Sequence, residues 1–509
     1  MVTSNKSDST VDRNKRIIIV GAGPGGLAAA MLLASKGYSV DLFEKEKQIG
    51  GRNSFFKLGE YIFDIGPTFL MMKDVLEKIF IKSNKKLEDF VEVTKLDPMY
   101  RLKFADGREL YPSPDKEKMK LTMENFSKGS FEGYLKYLDK EKKKYDKLIP
   151  CLSIPYGKVS HFFSKQLITA IPYLDAHTSL HGVLSRYFDD PDVRIAFTFQ
   201  AKYIGMSPWT APGTFSIISY IEHGGGIFHV KGGLNKLAFG MAEAFKQLGG
   251  RIHLNSSVKK ILVENETATG VELENGKIQK ADYVIINADF ANAMTKHVDS
   301  LNRKKWTDEN LASKDYSCST FMIYLGVKKE FKDIAHHTIL FAKDYKQNVD
   351  EITKDMRISD DISIYVQNAS VTDKTLAPEG KSTIYVLVPV PNNKSKIDWD
   401  KEKQSFRDKI ISTLETRGGY SGLSENIEVE KIVTPKDWQE RHSVYLGATF
   451  NLAHNVGQML YFRPHNEFEE FKNCYLVGGG THPGSGLPTI YESGRISAEL
   501  IMKRDGIEV

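Results

Sequence analysis

Cysteine is scarce in this sequence, and an excess of charge of either sign is lacking. Only Cys151, Cys318 and Cys474 occur among the 509 residues, far apart and with no Cys-x-x-Cys pair. This spacing argues against a disulfide framework or a thiolate metal site and favours a reducing cytoplasm. The 70 basic and 65 acidic residues leave a net charge of only +5. No strong field that attracts nucleic acid follows from this balance, so nucleic acid is not a predicted partner.

Long apolar runs are missing as well. No uninterrupted stretch reaches the roughly 18 apolar residues that are needed to cross a bilayer. Residues 1–15 are polar and mixed in charge, without the apolar core of a signal peptide. We therefore predict a disordered tail at 1–15 and a cytoplasmic protein that is either free or held on a membrane surface.

A glycine-rich turn occurs in the setting of a βαβ unit. The apolar strand Ile17–Val20 runs into Gly21, Gly23 and Gly26, and Glu44 follows where a second strand would end. In such a unit the helix N-terminus faces a pyrophosphate, and the acid accepts hydrogen bonds from ribose hydroxyls. Because strand, glycines, helix and acid occur in the required order, the segment predicts a dinucleotide-binding site.

This unit alone leaves open whether the nucleotide is FAD or NAD(P). Just beyond Glu44, the pair Gly50 and Gly51 precedes Arg52. A flexible turn at this point can return the guanidinium to the pyrophosphate for charge-assisted hydrogen bonding. A glycine pair and an arginine at this distance resemble the flavoprotein extension of the motif, which favours FAD.

A second glycine-rich segment lies near the end of the chain, in the sequence Gly478-Gly-Gly-Thr-His-Pro-Gly-Ser-Gly-Leu-Pro-Thr489. A strand that opens into glycines and then a helix can aim backbone N–H groups at an electron-rich ring. Gly484 and Gly486 permit close backbone approach, and Pro483 and Pro488 restrict the turn. An ordinary strand-to-helix loop is the alternative interpretation.

A series of motifs resembles the bacterial-type phytoene desaturase family, which includes the desaturases of C30 diapophytoene and related carotenoid oxidases. The match runs in order from about residue 16 to 502, and the Thr-His-Pro-Gly segment is its most distinctive part. The resemblance implies an FAD-dependent enzyme that takes polyene substrates from membranes. The motifs are Gly21-Ala-Gly-Pro-Gly-Gly26, Gly50-Gly-Arg52, Phe63-Asp-Ile-Gly-Pro-Thr68, Phe197-Thr-Phe-Gln-Ala-Lys-Tyr-Ile-Gly205, Lys231-Gly-Gly-Leu234, Asn287-Ala-Asp289 and Thr481-His-Pro-Gly-Ser-Gly-Leu-Pro488.

The resemblance also implies which residues hold the cofactor. The residues expected at the pyrophosphate, the ribose and the adenine are Gly21, Gly23, Gly26, Gly51, Arg52, Glu44 and the backbone of Val258. Those expected to flank the isoalloxazine and the ribityl chain are Gly66, Pro67, Thr68, Gly480, Thr481, His482, Pro483, Gly484, Gly486, Leu487 and Pro488. The catalytic acid or base is not identified: His482 is nearest the expected ring, but orienting the turn is an equal alternative.

No metal site is predicted. His336 and His337 are adjacent, so they do not share a helix face, and no carboxylate signature accompanies them. We interpret them as a pair on the surface or at the end of a strand.

The predicted fold class is α/β, with an FAD-binding Rossmann-like, glutathione-reductase-like domain assembled from three segments, 16–75, 228–300 and 468–509. The rest of the chain, 76–227 and 301–467, would form an α+β substrate domain with a helical membrane-facing part. Its sheet would contain strands at 320–327 and 383–390, whereas 72–228 would be mostly helical.

Several segments of the substrate domain allow two interpretations. The charged run at 138–147 is interpreted as a solvated helix face. The mixed apolar and basic segment 161–174 is either an interfacial helix or a core helix. Trp209 and Phe215 would line a lipid tunnel or belong to the core.

The leading function is FAD-dependent desaturation of phytoene or diapophytoene, in which the flavin accepts a hydride and a neighbouring carbon loses a proton. A carotenoid oxidase or ketolase, or a redox-neutral isomerase on the same scaffold, is the main alternative. A flavin amine oxidase or a prenyl-lipid carrier resembling Rab GDP-dissociation inhibitors is disfavoured, because Cys474 is expected to be a buried strand residue and the flavin fingerprint is intact. The sequence does not decide between dioxygen and a membrane quinone as final electron acceptor.

Overall fold

The structure is a computed structural model that describes residues 15–509. The predicted tail at 1–15 falls outside the described residues except for Lys15. The strands, in chain order, are β1 (Arg16–Val20), β2 (Ser39–Phe43), β3 (Phe55–Leu58), β4 (Tyr61–Asp64), β5 (Val93–Lys95), β6 (Arg101–Lys103), β7 (Glu109–Leu110), β8 (Phe228–Val230), β9 (Arg251–His253), β10 (Val258–Glu264), β11 (Thr267–Leu273), β12 (Ile278–Lys280), β13 (Tyr283–Ile286), β14 (Ser319–Val327), β15 (His337–Leu340), β16 (Ile364–Gln367), β17 (Ser382–Val390), β18 (Ile427–Val433) and β19 (Cys474–Leu476). The helices are α1 (Pro24–Ser35), α2 (Lys73–Lys82), α3 (Lys116–Phe126), α4 (Ser130–Leu152), α5 (Lys165–Ala170), α6 (Leu180–Leu184), α7 (Pro191–Ala196), α8 (Ile217–Gly225), α9 (Lys236–Gln247), α10 (Phe290–His297), α11 (Asp308–Ser313), α12 (Tyr345–Thr353), α13 (Trp399–Thr413), α14 (Pro435–Glu440) and α15 (Leu487–Arg504).

Strand β1 lies at the centre of a parallel sheet with the strand order β19-β13-β1-β2-β9. Ile17 and Ile19 pack into the core that contains α1, α9 and α15, whereas Ile18 and Val20 pack into the core on the other face. Both faces of the strand are therefore buried, which explains its unbroken apolar sequence. The sheet takes its strands from three separate parts of the chain, which confirms the predicted α/β Rossmann-like fold.

A second, mixed sheet has the strand order β18-β14-β17-β16-β15-β6-β7. Its long strands β14 and β17 pair antiparallel over their whole length, with Tyr324 opposite Tyr385. Every residue of β14 is buried, because one face packs on a large apolar core and the other faces β3 and β4. The predicted strands at 320–327 and 383–390 are thereby confirmed.

The prediction that 72–228 is mostly helical is confirmed, but it missed three short strands. Strand β6 pairs in parallel with β15, with Leu102 opposite Ile339, and β7 extends the sheet beyond it. Strand β5 pairs with β8 instead. Strands of two or three residues carry too little hydrophobic periodicity to be found without their partners, which here lie far along the chain.

Helix α4 contains the charged run at 138–147. Most of its charges are exposed as predicted, but Glu141 and Lys144 are buried. The Lys144 ammonium pairs with Glu141 at 3.0 Å and with Asp175 at 2.9 Å, and Ser216 donates to Glu141 at 2.7 Å. The interpretation as a fully solvated face is therefore wrong at these two positions, where paired charges join α4 to neighbouring segments.

Segment 161–174 is not one continuous helix. Short 3-10 turns at Val159–Phe163 and Ile171–Tyr173 flank α5, so the segment winds across the surface in three short pieces. Across residues 15–509, no helix combines the length and the apolar character needed to span a bilayer.

Candidate active site

A cavity of about 630 Å³ lies between the carboxyl ends of the parallel strands and one face of the second sheet. Val20, Phe43 and Asn287, at or just beyond the ends of β1, β2 and β13, contribute to one part of its wall. Met322 of β14 and Leu387 of β17 contribute to another part. The carboxyl ends of parallel strands are the usual ligand position in open α/β sheets.

The structure brings many of the sequence-predicted cofactor residues to this wall but not all of them. Those that line the cavity are Gly21, Gly23, Glu44, Gly51, Arg52, Gly66, Pro67, Thr68, Val258, Gly486, Leu487 and Pro488. Those that do not are Gly26, Gly480, Thr481, His482, Pro483 and Gly484. Trp209 and Phe215 do not line it either, and they pack against a buried core instead.

The first glycine turn is held tightly against the end of β13. Gly21 has a φ of +99°, and a Cβ there would lie 2.3 Å from the carbonyl oxygen of Asn287. The Asn287 amide donates back to the carbonyl oxygen of Gly21 at 2.8 Å. A Cβ at Gly26 would lie 2.6 Å from that same Gly21 oxygen. Gly21 and Gly26 thus permit the close packing of turn, helix and strand, while Gly23 lies at the cavity wall.

Glu44 is held by two backbone amides, one in the first glycine turn and one just after β2. Its carboxylate accepts hydrogen bonds from the amide of Ala22 at 2.7 Å and from the amide of Glu46 at 3.0 Å. Burial raises the pKa of the Glu44 carboxyl, while the two backbone donors act in the opposite direction. The acid is therefore fixed at the cavity wall in one orientation.

Arg52 and Asp289 face the same part of the cavity. Arg52 donates to the carbonyl oxygen of Thr449 at 2.6 Å. The side-chain amide of Asn451 lies between the two charges, donating to Asp289 at 2.7 Å and accepting from Arg52 at 3.3 Å. Burial raises the pKa of the Asp289 carboxyl, and the positive charge of Arg52 opposes that shift.

Tyrosines of the second sheet hold the segment Gly66-Pro67-Thr68. The Tyr385 hydroxyl donates to the carbonyl oxygen of Gly66 at 2.6 Å, and the Tyr365 hydroxyl lies 2.7 Å from the Thr68 hydroxyl. The Tyr365 hydroxyl also lies 2.8 Å from Nδ1 of His337. The second sheet therefore holds the segment that follows β4 at the cavity wall by direct hydrogen bonds.

His336 and His337 are buried, so the expectation of a surface pair is wrong, although His337 does begin strand β15 as a strand-end residue. Burial lowers the pKa of both imidazoles well below its usual value. His336 bonds Thr372 at 2.9 Å, and the His337 ring stacks on Phe69 at 4.2 Å. Both rings are thus part of the protein interior behind the cavity wall.

His482 lies behind the second glycine turn. Its ring is 1% exposed and packs edge-on against Tyr156 at 5.1 Å. Burial lowers the pKa of the imidazole to about 3. Its backbone carbonyl accepts from the Asn466 side chain at 3.0 Å. The ring does not line the cavity, and we do not propose His482 as a catalytic acid or base.

Lys202 is a cavity residue that sequence reasoning missed. It lies in the 3-10 turn Phe199–Ile204 and shares its part of the wall with Phe341, Tyr345 and Cys318. Burial lowers the pKa of its ammonium to about 7. The only sequence signal is a single cation in the aromatic segment 197–205, which does not reveal what the segment faces.

The chemistry of the wall fits FAD. Asn53 is 2% exposed and lines the cavity, and neither polar atom of its side chain has a hydrogen-bond partner within residues 15–509. Because buried polar groups are normally paired, Asn53 offers a donor and an acceptor to a bound molecule. The glycine turn, Glu44 and Arg52 add the backbone, carboxylate and guanidinium groups that suit a pyrophosphate and a ribose.

Comparisons with known proteins show the family and the fold of the chain. The model of the family described as flavin containing amine oxidoreductase matches residues 24–502. A 4,4'-diapophytoene desaturase (4,4'-diapolycopene-forming) of Methylomonas sp is 50% identical, over 96% of this chain and 96% of that protein. A zeta-carotene-forming phytoene desaturase of Myxococcus xanthus is 34% identical, over 97% of this chain and 95% of that protein. The solved structure of wild-type putrescine oxidase bound to putrescine shares the fold, with a TM-score of 0.63 at 14% identity over 96% of this chain and 99% of that one.

Proposed function

We propose that this chain, which belongs to the flavin containing amine oxidoreductase family and within it to the bacterial phytoene desaturases, desaturates a carotenoid precursor with FAD. The single observation that carries the proposal is the continuity of the cavity, whose wall includes both the glycine turn at Gly21 and the apolar strand residues Met322 and Leu387. A nucleotide-binding turn and a hydrocarbon-compatible wall in one cavity suit oxidation of an apolar chain.

The proposed substrate class is a C30 carotenoid precursor, with the C40 precursor phytoene as the second candidate. The relative with 50% identity is a 4,4'-diapophytoene desaturase, whereas the phytoene desaturase of Myxococcus xanthus is 34% identical. Phe69, Ile339 and Phe341 extend the apolar wall, which suits a hydrocarbon chain.

We propose that the cofactor is held by the residues that resemble the family's flavin motifs and line the cavity. Gly21, Gly23 and Arg52 would hold the pyrophosphate and Glu44 the ribose, while Thr68 would lie beside the ring system. FAD, when bound, supplies a two-electron acceptor for a hydride. The protein's part is to hold the polyene in position and to exclude water from the apolar part of the cavity.

We propose the domain division given by the sequence motifs. Residues 16–75, 228–300 and 468–509 would form the FAD-binding part, and 76–227 and 301–467 the substrate-binding part. The pairing of β1, β13 and β19 in one parallel sheet supports the first grouping. The pairing of β6 with β15 supports the second.

We also propose that the protein docks on the inner face of the cell membrane. Phe163 is 75% exposed and Ile171 56% exposed, on either side of α5, and Phe462 is 57% exposed. Ring contact between Phe162 and Tyr461, at 6.2 Å, joins the two segments. Exposed apolar side chains together with nearby lysines, including Lys165, suit insertion among lipid headgroups.

The experiment is anaerobic incubation of the FAD-loaded protein with diapophytoene or 15-cis-phytoene in liposomes. We expect flavin bleaching together with longer-wavelength polyene absorbance, and faster with the C30 substrate. Leu387→Asp, which puts a carboxylate on the apolar wall, should abolish the reaction while flavin content remains, and Ile278→Asp, at an exposed position, should leave it unchanged.

A carotenoid oxidase, ketolase or isomerase is the second candidate function on the same scaffold. Bound FAD that remains oxidised with both hydrocarbons but reacts with an already conjugated carotenoid would favour that alternative. Re-oxidation of the reduced protein by dioxygen or by a quinone in the liposomes would identify the final electron acceptor.

A further inference from the structure

Lys202 is an amine placed among apolar and aromatic groups. Its 3-10 turn lies on the cavity wall, where Phe199, Phe341 and Ile339 are also exposed to the cavity. The Lys202 ammonium lies 4.5 Å from the centre of the Tyr345 ring. Within residues 15–509, no carboxylate contributes to the electrostatic environment of Lys202, whose one titratable neighbour of note is Cys318. The contact with the Tyr345 ring favours the ammonium, but burial is the larger effect and stabilises the neutral amine.

Gly205, the residue that ends the turn of Lys202, packs against Ser317 and Phe450, and Phe450 in turn is bonded to the second glycine turn, where we place the flavin ring. A Cβ at Gly205, three residues after Lys202, would lie 2.5 Å from Ser317 and 3.0 Å from Phe450. The Ser317 hydroxyl accepts from the amide of Phe450 at 3.0 Å, and the hydroxyl of Ser485 bonds the Phe450 carbonyl oxygen. One continuous set of contacts therefore links Lys202 to the cavity-lining turn at Ser485.

The other titratable groups that face Lys202 are poorly suited to accept a proton near neutral pH. Tyr345 presents a hydroxyl from α12 whose pKa burial raises far above its usual value. Cys318, just before β14, is a thiol whose pKa burial raises to about 11. Burial lowers the pKa of Lys202 to about 7, and Cys318 opposes that shift. Near neutral pH, Lys202 is thus the available base on this part of the wall.

We propose that Lys202 is the proton acceptor of the desaturation, an inference that rests on the proposed function. Two C–H bonds on neighbouring carbons of the substrate break. The hydride of one carbon would go to bound FAD, the two-electron acceptor, and the unprotonated Nζ of Lys202 would take the proton from the other carbon. The electron pair of the second C–H bond becomes the new C=C bond, and the resulting ammonium returns its proton to solvent before the next turnover.

The test compares Lys202→Met and Lys202→Arg with the matched surface variant Lys354→Met, which replaces a lysine 54% exposed on its side chain. The readout is the single-turnover rate of flavin bleaching by diapophytoene from pH 5.5 to 9. The wild-type rate should rise through about pH 7 and then level off. Both Lys202 variants should lose at least about 100-fold, the typical contribution of a general base, and should lose that pH dependence. Lys354→Met should behave like the wild type.

A second readout does not depend on activity. Competitive acetylation of the FAD-loaded protein, followed residue by residue with mass spectrometry, should show Lys202 becoming reactive through about pH 7. Lysines that water surrounds become reactive only near the ordinary lysine pKa of about 10.4. A Lys202 profile that matches Lys354 would overturn the proposal, even if neither Lys202 variant folded.

The remaining outcomes separate this proposal from the proposed function. Arginine stays protonated, so full activity in Lys202→Arg would show that a positive charge suffices. That result would overturn the proposal that Lys202 is the proton acceptor. If Lys202→Met changes KM but leaves kcat and the pH profile unchanged, Lys202 only packs against the substrate, and the proposal that it accepts the proton is overturned. Failure of the wild type to desaturate either hydrocarbon, with acetylation as expected, would overturn the proposed function and the base together.

Discussion

The guanidinium of Arg463 donates a hydrogen bond to the carbonyl oxygen of Gly479 at 2.6 Å. Arg463 is completely buried and also donates to the carbonyl oxygen of Thr481 at 3.2 Å. Further carbonyl oxygens bonded by the same side chain belong to Leu452, Ala453 and Gln458. One distant arginine therefore fixes the backbone of the second glycine turn.

Arg463→Met should destabilise the protein and weaken flavin retention. The substitution leaves several buried carbonyl oxygens unpaired, each of which costs about 1–3 kcal/mol. We expect a loss of at least about 3 kcal/mol in the free energy of unfolding, measured by urea denaturation, together with a lower ratio of flavin to protein. Arg186→Met, at an arginine with 46% side-chain exposure, is the control and should change stability by less than about 1 kcal/mol. Equal stability of the two variants would contradict the role of Arg463.

Gly23→Val should abolish FAD binding without unfolding the protein. Gly23 has no left-handed backbone conformation, and a Cβ there would lie 3.2 Å from the Asn287 amide, a contact that a small shift relieves. The valine methyl groups would occupy the cavity beside the turn, where we place the pyrophosphate. The measurement is flavin absorbance per protein after gel filtration, with circular dichroism to confirm the fold.

Gly225→Val is the matched control, because a Cβ at Gly225 would have no heavy atom within 4 Å. It should retain its flavin. Full flavin occupancy in Gly23→Val would refute the placement of the cofactor against this turn.

Phe163→Asp combined with Ile171→Asp should reduce co-sedimentation with anionic liposomes by several-fold or more. Each substitution replaces an exposed apolar side chain on the proposed docking surface with a charge that the headgroup region disfavours. Leu301→Asp is the control, since Leu301 is 89% exposed on another segment. If the double variant and the control sediment to the same extent, the docking surface is placed wrongly.

The dinucleotide unit was predictable from sequence because its determinants are local. Gly21, Gly23 and Gly26 lie within six residues of each other, and the buried strand before them is an unbroken apolar run. Cys474 was likewise predicted as a buried strand residue, and it is fully buried in β19. Such positions need no information about distant parts of the chain.

The second glycine turn shows where local information ends. Its composition predicted a strand-to-helix turn, and α15 does begin within it, at Leu487. That Thr481 and His482 face away from the cavity depends on Arg463 and Asn466, which bond their carbonyl oxygens from outside the turn. A motif thus predicts the backbone path better than the direction of each side chain.

Lys202 could not be found from sequence for a related reason. Its lowered pKa results from burial among residues of α12, β14 and β15, which are more than 100 positions away in the chain. Hydrophobic periodicity identifies the face of a long helix or strand, but Lys202 lies in a six-residue 3-10 turn. Only the folded structure brings the amine into the same cavity as the glycine turn.

Lys202→Met should stabilise the folded protein at neutral and acidic pH. In the wild type the pKa of Lys202 falls to about 7 on folding from the ordinary 10.5, so the unfolded chain binds more protons between these values. Above about pH 10.5, Lys202 therefore does not lower the free energy of unfolding of the wild type. As the pH falls towards 7, this free energy decreases progressively, and below about pH 7 the decrease stays constant. The variant removes this loss, and its melting temperature should exceed that of the wild type by a few degrees at pH 6, with the difference shrinking towards pH 10. Differential scanning calorimetry of both proteins across this range is the measurement, and Lys354→Met, at an exposed lysine, should show no such pH-dependent gain. A constant difference between Lys202→Met and the wild type at all pH values would mean that the ammonium of Lys202 is as well stabilised in the folded protein as in water.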